Sequence, residues 1–283
     1  MSSAWSRDWP APAKLNLFLH IVGRRPDGYH LLQTLFQFLD HGDVLHFRVR
    51  TDGAVRAEYA LPRVAAEDDL VLRAARLLQA RCSSSYGADI QLEKRLPLGG
   101  GLGGGSSDAA TVLVALNRLW SCGMNIDALA ALGLELGADV PVFVRGRAAW
   151  AEGVGERLEP VEVPEPWYVV LAPPISVSTA EIFSAPELIR DQHPITIRDF
   201  LAGRGVNVCE PVARVRYPQI DAALEALSAD GPARMTGTGG CVFAAYSTES
   251  AAHSAWERLS GTWQGFVARG RNVSPLVAAS AGA

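Results

Sequence analysis

Cysteine is scarce in this chain, and the four cysteines that occur lie far apart. Cys82, Cys122, Cys209 and Cys241 include no CxxC pair, the spacing typical of zinc sites and thiol redox motifs. This pattern predicts neither a zinc site nor a disulfide framework. It favours a reducing cytosol, where disulfides are rare.

A charge excess of one sign is also lacking. The chain has 26 basic and 30 acidic residues, a net charge of −4, which excludes the electrostatic footprint of a general nucleic-acid binder. No apolar run approaches the ~20 residues of a membrane helix, and the N-terminal residues lack the apolar core of a signal peptide. We expect a cytoplasmic protein whose partner is a small molecule, with no nucleic acid and no membrane. The oligomeric state is left open.

The remaining composition is that of a folded globular protein. Hydrophobic residues make up 48% of the chain and charged residues 20%. A chain of 283 residues suits one large domain or two ordinary ones. Prolines are dense between residues 160 and 174, which indicates a crossing between domains near residues 150–165. We predict two domains, residues 1–155 and 156–283, of mixed α+β class.

Hydrophobic periodicity predicts the secondary structure. Residues 14–22 alternate, so that Leu15 and Leu17 share one face of a strand and Lys14 and Asn16 the other. In the first half, further strands are predicted at 31–39, 44–50, 55–60 and 88–94, and helices from about Leu70, at 106–120 and at 126–136. In the second half, strands are predicted at 167–172, 233–235, 241–246 and 266–269, and helices at 219–227 and 249–259.

Glycine is the residue in excess, and it is clustered. Residues 97–107, PLGGGLGGGSS, hold six glycines between a predicted strand and a predicted helix. Glycine permits positive φ and leaves the backbone N–H groups open, and a helix N-terminus attracts anions. A flexible linker or a helix-packing contact is the alternative, but linkers rarely lead directly into an amphipathic helix. The segment therefore predicts a phosphate-binding loop.

Several common phosphate loops do not fit this segment. The P-loop requires a lysine, and none occurs between Pro97 and Leu116. Gly99, Gly101 and Gly104 satisfy the dinucleotide pattern GxGxxG, but that loop should follow the first strand of an alternating βαβ domain. The HRD and DFG signatures of protein kinases are absent from the sequence.

Three motifs instead resemble those of the GHMP small-molecule kinases. PLGGGLGGGSSDAA at 97–110 resembles their second motif, PAKLNLFLHI at 12–21 their first and MTGTGGCVFA at 235–244 their third. The resemblance implies the two-domain GHMP kinase fold. Its N-terminal domain is ribosomal-protein-S5-like and its C-terminal domain is ferredoxin-like.

Four further segments narrow the resemblance within that superfamily. They are RPDGYHLLQTLFQFLD at 25–40, LGADVPVF at 136–143, AEGVGE at 151–156 and VSTAEIF at 177–183. They resemble the branch that phosphorylates a hydroxyl of a cytidine-diphosphate-linked methylerythritol to the 2-phosphate, in non-mevalonate isoprenoid synthesis. The resemblance implies ATP as co-substrate, with Mg²⁺.

Lys14 and Asp139 match the catalytic residues of the family, with Asp139 as general base. Taken alone, Lys14 would be a solvated strand residue. Asp139 would be a turn residue after a helix ending at Gly137, where a carboxylate faces the negative end of the dipole, and this mismatch favours the functional interpretation. Asn16 shares the Lys14 face and is expected in the same site.

The resemblance also implies the binding residues. Tyr29 and Phe183 would stack on the cytosine, His30 would hydrogen-bond its edge and Thr179 would lie near the substrate, although aromatics beside turns often only cover a core. The ATP-binding residues would be Pro97, Leu98, Gly99, Gly100, Gly101, Leu102, Gly103, Gly104, Gly105, Ser106 and Ser107. The two serines could equally serve as helix caps.

Two points stay open at this level. No acidic pair marks a metal site, and Asp108 could approach Mg²⁺ or only favour the helix dipole. Relatives commonly have Asn where this chain has Asp69, which could contact adenine or only cap a helix. Alternative functions are a GHMP kinase for another alcohol, a non-catalytic nucleotide or sugar sensor, and a Rossmann oxidoreductase.

Overall fold

Two long antiparallel strands form the framework of the first half of the chain. The structure is a computed structural model that describes residues 4–61, 64–65 and 67–282. Strand β1, Ser6–Arg24, pairs with β2, His30–Arg50, across a turn that holds Pro26, Asp27 and Gly28. The two separate strands predicted at 31–39 and 44–50 are one strand, because residues 42–44 stay paired with residues 10–12.

The other elements follow in chain order. The remaining strands are β3 Val55–Ala57, β4 Gly87–Glu93, β5 Ala149–Gly153, β6 Arg157–Pro160, β7 Trp167–Leu171, β8 Ala233–Met235, β9 Val242–Tyr246 and β10 Gly265–Arg271. The helices are α1 Leu70–Arg81, α2 Gly104–Leu119, α3 Ile126–Leu134, α4 Val140–Arg145, α5 Thr179–Ser184, α6 Ile197–Leu201, α7 Glu210–Arg216, α8 Pro218–Leu227, α9 Glu249–Leu259 and α10 Pro275–Gly282, with a 3₁₀ turn at Ser228–Asp230. The mixed α+β class is confirmed.

The strands of both halves join in one sheet. Its order is β3-β4-β2-β10-β7-β9-β8, while β1 and β5 also pair with β2 and β6 pairs with β5. Strand β10 makes the connection, because Gly270 pairs with Leu39 of β2 and Ala268 with Tyr168 of β7. Within the described ranges, no helix is both long enough and apolar enough to cross a membrane.

Each half has its own core, and the chain crosses between them more than once. Helices α1 to α4 bury Val71, Leu78 and Leu113 against the first half of the sheet, while α5, α7, α8 and α9 cover β7 to β9. The C-terminal segment returns to the first half, where the Ala148 N–H donates to the Asn272 carbonyl at 2.8 Å and Leu276 enters the first core. The domain boundary at 155/156 stays a prediction.

The prediction that no disulfide forms is wrong for one pair of cysteines. Cys82 and Cys122 are bonded, with their Cα atoms 5.6 Å apart. Helices α1 and α2 run side by side in the same direction: Leu70 lies beside Gly105 at one end, and the two cysteines follow the other end. Helix packing sets this proximity, and a spacing of 40 residues carries no sign of it.

Candidate active site

The glycine loop joins the end of β4 to the start of α2. Gly99, Gly101 and Gly103 have φ angles of 69°, 74° and 75°, a left-handed conformation at every second residue that suits glycine. Such alternation turns successive N–H groups toward one side and makes an anion-binding concavity. Pro97, Leu98, Gly100 and Leu102 complete the loop, and Leu98 is half exposed.

Helix α2 begins two residues earlier than predicted, so the serines do not cap it. Gly103 is the N-cap residue and makes no side-chain cap bond. Gly104, Gly105, Ser106 and Ser107 form the first turn, in which Ser107 is buried with its hydroxyl unpaired. An uncapped helix N-terminus leaves N–H groups that an anion can satisfy.

A second glycine segment, the turn at residues 236–240, packs on this loop backbone to backbone. The Cys241 N–H donates to the Gly100 carbonyl at 2.9 Å. A Cβ atom on Gly101 would lie 2.4 Å from the Thr236 carbonyl oxygen, and one on Gly240 would lie 2.5 Å from that of Gly99. Each segment therefore requires glycine at these positions, because the backbone of the other segment leaves no room for a side chain.

Asn207 holds this turn in place. Its side-chain amide donates to the carbonyls of Met235 and Gly237, each at 2.8 Å. The Thr236 hydroxyl also accepts the Asn16 N–H at 2.9 Å, which ties the turn to β1. Asn207 carried no signal in the sequence, because it lies 28 residues from Met235.

Lys14 lies on β1 directly beneath the loop and is buried rather than solvated. Its ammonium donates to the Asn16 side-chain oxygen at 2.5 Å and to the Gly101 carbonyl at 3.1 Å, and it lies 3.2 Å from the Asp139 carboxylate. The ring of Phe36 lies 5.3 Å from it. The structure thus brings Lys14, Asn16 and Asp139 together with the loop.

Asp139 stands at the beginning of a helix, which corrects the dipole argument made from the sequence. Helix α3 ends at Leu134 rather than near Gly137, and a short helix that was not predicted, α4, starts at Val140. A carboxylate is favoured at a helix N-terminus, so the supposed mismatch does not exist. Asp139 makes no cap bond and remains one-third exposed, with its carboxylate available to a ligand.

One cavity of about 840 Å³ connects these groups with the residues predicted to bind the substrate. Lys14 and Asp139 line it beside Gly101 and Gly103. Asn16, Tyr29, His30, Thr179 and Phe183 line it as well. Arg24 and Thr238 also reach the cavity. Thr238 belongs to the third glycine-rich motif, whereas nothing in the sequence marked Arg24.

The aromatic end of the cavity is built by the turn after β1 and by α5. The rings of His30 and Phe183 stack with centroids 5.0 Å apart, while Tyr29 is 65% exposed at the rim. The hydroxyls of Thr179 and Thr238 are 2.9 Å apart, which links α5 to the glycine turn. A flat apolar ligand group would find ring faces and open space here.

Arg190 lies behind this end of the cavity. Its Nε donates to His30 Nε2 at 3.2 Å, and the rest of the guanidinium bonds to backbone carbonyls around the end of α5. Burial, Arg190 and Arg24 lower the pKa of His30, so the ring is neutral at pH 7. No sequence pattern pointed to Arg190, which is 160 residues from His30.

A buried cluster of charged residues, which no sequence pattern indicated, lies under the start of α2. Lys94 donates to Asp43 at 2.5 Å and to Asp108 at 2.8 Å, and a Cβ atom on Gly104 would lie 3.1 Å from the Lys94 ammonium. Burial raises the pKa of Asp108 to about 7, with Lys94 opposing the shift and Asp43 adding to it. Although burial alone would lower the pKa of Lys94, the two carboxylates raise it.

Side chains that could together hold a metal ion are the next feature of the site. Among the described residues, no three His, Cys, Asp or Glu side chains form a group that could hold a metal ion. Asp108, the acid considered for that role, is buried and paired with Lys94. Its second carboxylate oxygen has no partner, but it is enclosed.

Asp69 acts as a helix cap. One carboxylate oxygen accepts the Val71 N–H at 2.9 Å at the start of α1, and the other accepts the Tyr59 hydroxyl at 2.6 Å. The side chain is buried. With both oxygens engaged and the side chain buried, the structure favours the cap over a contact with adenine.

Family models and curated relatives both match the chain. The model for the GHMP kinases N terminal domain matches residues 69–147, and that for the GHMP kinases C terminal region matches residues 186–265. A 4-diphosphocytidyl-2-C-methyl-D-erythritol kinase of Nitrosococcus oceani is 61% identical over 269 residues, 95% of this chain and 96% of the relative. One from Pseudomonas aeruginosa is 59% identical over 267 residues, 94% of this chain and 95% of the relative.

Solved structures agree with this assignment. A crystal structure of 4-(cytidine 5'-diphospho)-2C-methyl-D-erythritol kinase superposes with a TM-score of 0.80 at 33% identity, covering 94% of this chain and 99% of that one. Homoserine kinase of Cytophaga hutchinsonii shares the fold at 18% identity, with a TM-score of 0.72 over 97% of this chain and 96% of its own. The chain belongs to the GHMP kinases, and within them to the family of 4-diphosphocytidyl-2-C-methyl-D-erythritol kinases.

Proposed function

We propose that this chain transfers the γ-phosphoryl group of ATP to the C2 hydroxyl of 4-diphosphocytidyl-2-C-methyl-D-erythritol, giving the 2-phosphate and ADP. Membership of the GHMP kinases makes it a small-molecule phosphotransferase with ATP as co-substrate. Relatives that are 57–61% identical over nearly their full length bear the name of this kinase. The step belongs to the non-mevalonate route to isoprenoid precursors.

The observation that carries the proposal is the single cavity with two different ends. At one end, Lys14 and Asp139 lie beside the glycine loop, as a phosphoryl acceptor site requires. At the other end, His30 and Phe183 offer ring faces and a polar edge to a nucleobase. An acceptor that joins a small polyol to a nucleoside diphosphate spans these two ends.

The geometry at the first end supports the catalytic roles that we propose. Asp139 takes the proton of the acceptor hydroxyl as the new O–P bond forms and the bond from the γ-phosphorus to the bridging oxygen of ADP breaks. Lys14, 3.2 Å from Asp139, holds that carboxylate in place and offsets negative charge that develops on the transferred group. Asn16 fixes the Lys14 ammonium through its side-chain oxygen.

The glycine loop and the first turn of α2, from Pro97 to Ser107, would bind the ATP phosphates. Their N–H groups and the positive end of the helix dipole suit an anion. We propose that Mg²⁺ arrives bound to these phosphates, because Mg²⁺ usually takes much of its coordination from substrate phosphates and water. When bound, it neutralises phosphate charge.

Base recognition occupies the second end. Tyr29 and Phe183 would stack on the cytosine, since aromatic faces bind flat rings, and His30 would hydrogen-bond its edge. Thr179 would lie near the diphosphocytidyl group. Because none of these groups requires a metal, recognition of this substrate is separable from binding of ATP. The location in the cytoplasm remains an expectation from the sequence.

The proposal is tested by measuring ADP release with 4-diphosphocytidyl-2-C-methyl-D-erythritol present and absent. We expect ADP release only when this acceptor is present, and a product that carries its phosphate on C2. Homoserine and mevalonate serve as comparison acceptors for other GHMP kinases. Faster turnover of either one would overturn the proposed substrate while leaving the kinase class intact.

A further inference from the structure

The contact between Arg190 and His30 determines where the imidazole carries its proton. Arg190 Nε lies 3.2 Å from His30 Nε2, and a guanidinium can only donate hydrogen bonds. His30 Nε2 must therefore present its lone pair. A neutral imidazole has one N–H, so that proton is on Nδ1.

Arg190 is itself held firmly, so the arrangement persists. Its terminal nitrogens donate to the carbonyls of Leu188 at 2.9 Å, Phe183 at 3.0 Å and Ala185 at 2.7 Å. These carbonyls lie at the end of α5 and just after it. The same side chain thus fixes both the helix that carries Phe183 and the hydrogen-bonding state of His30.

The other charged groups of the neighbouring turn are engaged with its backbone or with each other. Arg24 donates to the Gly28 carbonyl at 3.0 Å, while Asp27 accepts the Tyr29 N–H at 3.2 Å and pairs with Arg25 at 2.6 Å. Arg190 is therefore the charged group that bonds to the His30 ring among the described residues.

A donor at this position distinguishes the two common pyrimidines. The N3 atom of cytosine accepts a hydrogen bond, whereas N3 of uracil carries a hydrogen and donates. We propose that Arg190 is a positioning residue that makes this end of the cavity select cytosine over uracil, by holding the His30 proton on Nδ1 so that it donates to N3. This inference rests on the proposed function, because it assumes that the base lies against His30.

Loss of Arg190 would let His30 exchange tautomers. With the proton on Nε2, the bare Nδ1 could accept from N3–H of uracil, and the preference would weaken. A hydrogen-bonding group left without its partner in the bound complex weakens binding, so we expect the preference to change by ~10-fold or more. Because Arg190 does not touch the loop or Asp139, the effect should be confined to the pyrimidine substrate.

The kinetic test uses Arg190→Met with the cytidylyl substrate and its uridylyl analogue. We expect the ratio of their kcat/KM values to fall by ~10-fold or more, with KM for the cytidylyl substrate raised and KM for ATP unchanged. Arg216→Met is the matched control, because Arg216 contacts Glu181 of α5 and Glu187 but not His30. An unchanged ratio in a folded Arg190→Met enzyme, or an equal fall in Arg216→Met, would overturn the inference.

The tautomer can also be read directly in the wild-type enzyme, without any turnover. Nitrogen NMR of the enzyme labelled in its histidines separates protonated from bare ring nitrogens, and His30→Gln assigns the signals. We expect a protonated Nδ1 and a bare Nε2 in His30. Protonated Nε2 would overturn the inference even if Arg190→Met does not fold. Failure of the wild type to phosphorylate the cytidylyl substrate would instead contradict the proposed function.

Discussion

The ammonium group of Lys14 has three N–H bonds and three acceptors in the structure. Asn16, the Gly101 carbonyl and Asp139 take one each. A buried cation satisfied in this way is fixed in position. It therefore sets where a substrate hydroxyl can enter, since such a group must approach the carboxylate of Asp139 from the open side of the cavity.

At the residue scale, the first prediction concerns the proposed general base. Asp139→Asn keeps the shape of the side chain but removes its ability to take a proton, so we expect kcat to fall by ~10²-fold or more. The Kd for ATP, measured by calorimetry, should change little because the loop is untouched. Near-normal kcat would contradict the assignment.

Asp127→Asn is the matched control for that substitution. Asp127 lies in the first turn of α3, is largely exposed and pairs with Arg145 at 2.8 Å. It is remote from the cavity lining, so its loss should leave kcat and both KM values near normal. A comparable loss of kcat in this variant would indicate that removing any carboxylate charge lowers kcat, rather than the loss of a base at Asp139.

The second prediction at this scale follows from the two hydrogen bonds of Asp69. Asp69→Ala removes the cap and leaves the half-buried Tyr59 hydroxyl without this partner, and lost caps cost about 0.5–2 kcal/mol of unfolding free energy. Asp69→Asn should cost much less, because Asn caps about as well. Neither variant should change the ratio of kcat/KM for ATP and GTP. A changed ratio in Asp69→Asn would instead support a contact between Asp69 and adenine.

At the element scale, the structure changes which glycine best tests the phosphate loop. Gly103→Val would place Cβ 2.7 Å from the buried ring of Phe143 and 3.1 Å from Lys14, at a φ of 75°. That substitution would disturb packing, catalysis and ATP binding together. Gly105 is exposed in the first turn of α2, and its Cβ would meet only Leu70, at 3.5 Å.

Gly105→Ala should therefore separate stability from nucleotide binding. Alanine in a helix stabilises it by roughly 0.5–1 kcal/mol relative to glycine, and its methyl group would add bulk to the first turn of α2, where we propose that the ATP phosphates bind. We expect a higher Tm together with a KM for ATP raised by ~10-fold, and an unchanged KM for the cytidylyl substrate. Gly261→Ala, in open space after α9, is the control. An unchanged KM for ATP would contradict the proposal that the first turn of α2 binds a phosphate.

Elements with strong local patterns were predictable. Helix α9 has the predicted bounds, because Thr248 caps it and its apolar residues keep a helical period. The glycine loop was found because its conformation demands glycine. Helix α4 was missed since six residues are too few to show a period, and this concealed the real position of Asp139.

Contacts between distant segments could not be read from the sequence. Lys94 meets Asp43 across 51 residues, and only the folded sheet brings them together. The same holds for Lys14, whose buried position depends on the loop and α4 rather than on the alternation of β1. The catalytic role predicted for Lys14 came from the family resemblance alone.

At the scale of the whole molecule, Asp108 should make stability depend on pH. Its pKa rises from an ordinary 3.8 to about 7 on folding, so the folded chain binds the proton more tightly. The contribution is favourable below about pH 4 and is lost as the pH rises through 7. Asp108→Asn removes this dependence, so its Tm should exceed that of the wild type above pH 7, on the order of 2–4 °C for each kcal/mol relieved.

Thermal unfolding of both proteins between pH 4 and pH 8 measures this difference. The gain in Tm should grow with pH and level off above 7. Asp52→Asn provides a control of opposite sign, because the Arg50 guanidinium holds the pKa of Asp52 below its usual range, so the intact carboxylate favours folding at neutral pH. A gain that is constant across the range would show that Asp108 does not titrate.

The backbone contact between the glycine loop and the turn at 236–240 limits how the enzyme could be re-engineered. Each segment occupies space that any side chain on the other would need, as at Gly101 and Gly240. A nucleotide-binding loop transplanted from another kinase would therefore clash with a turn whose backbone fits only the original loop. Chimaeras should exchange both segments as a unit, and libraries that diversify one segment alone should yield mostly inactive protein.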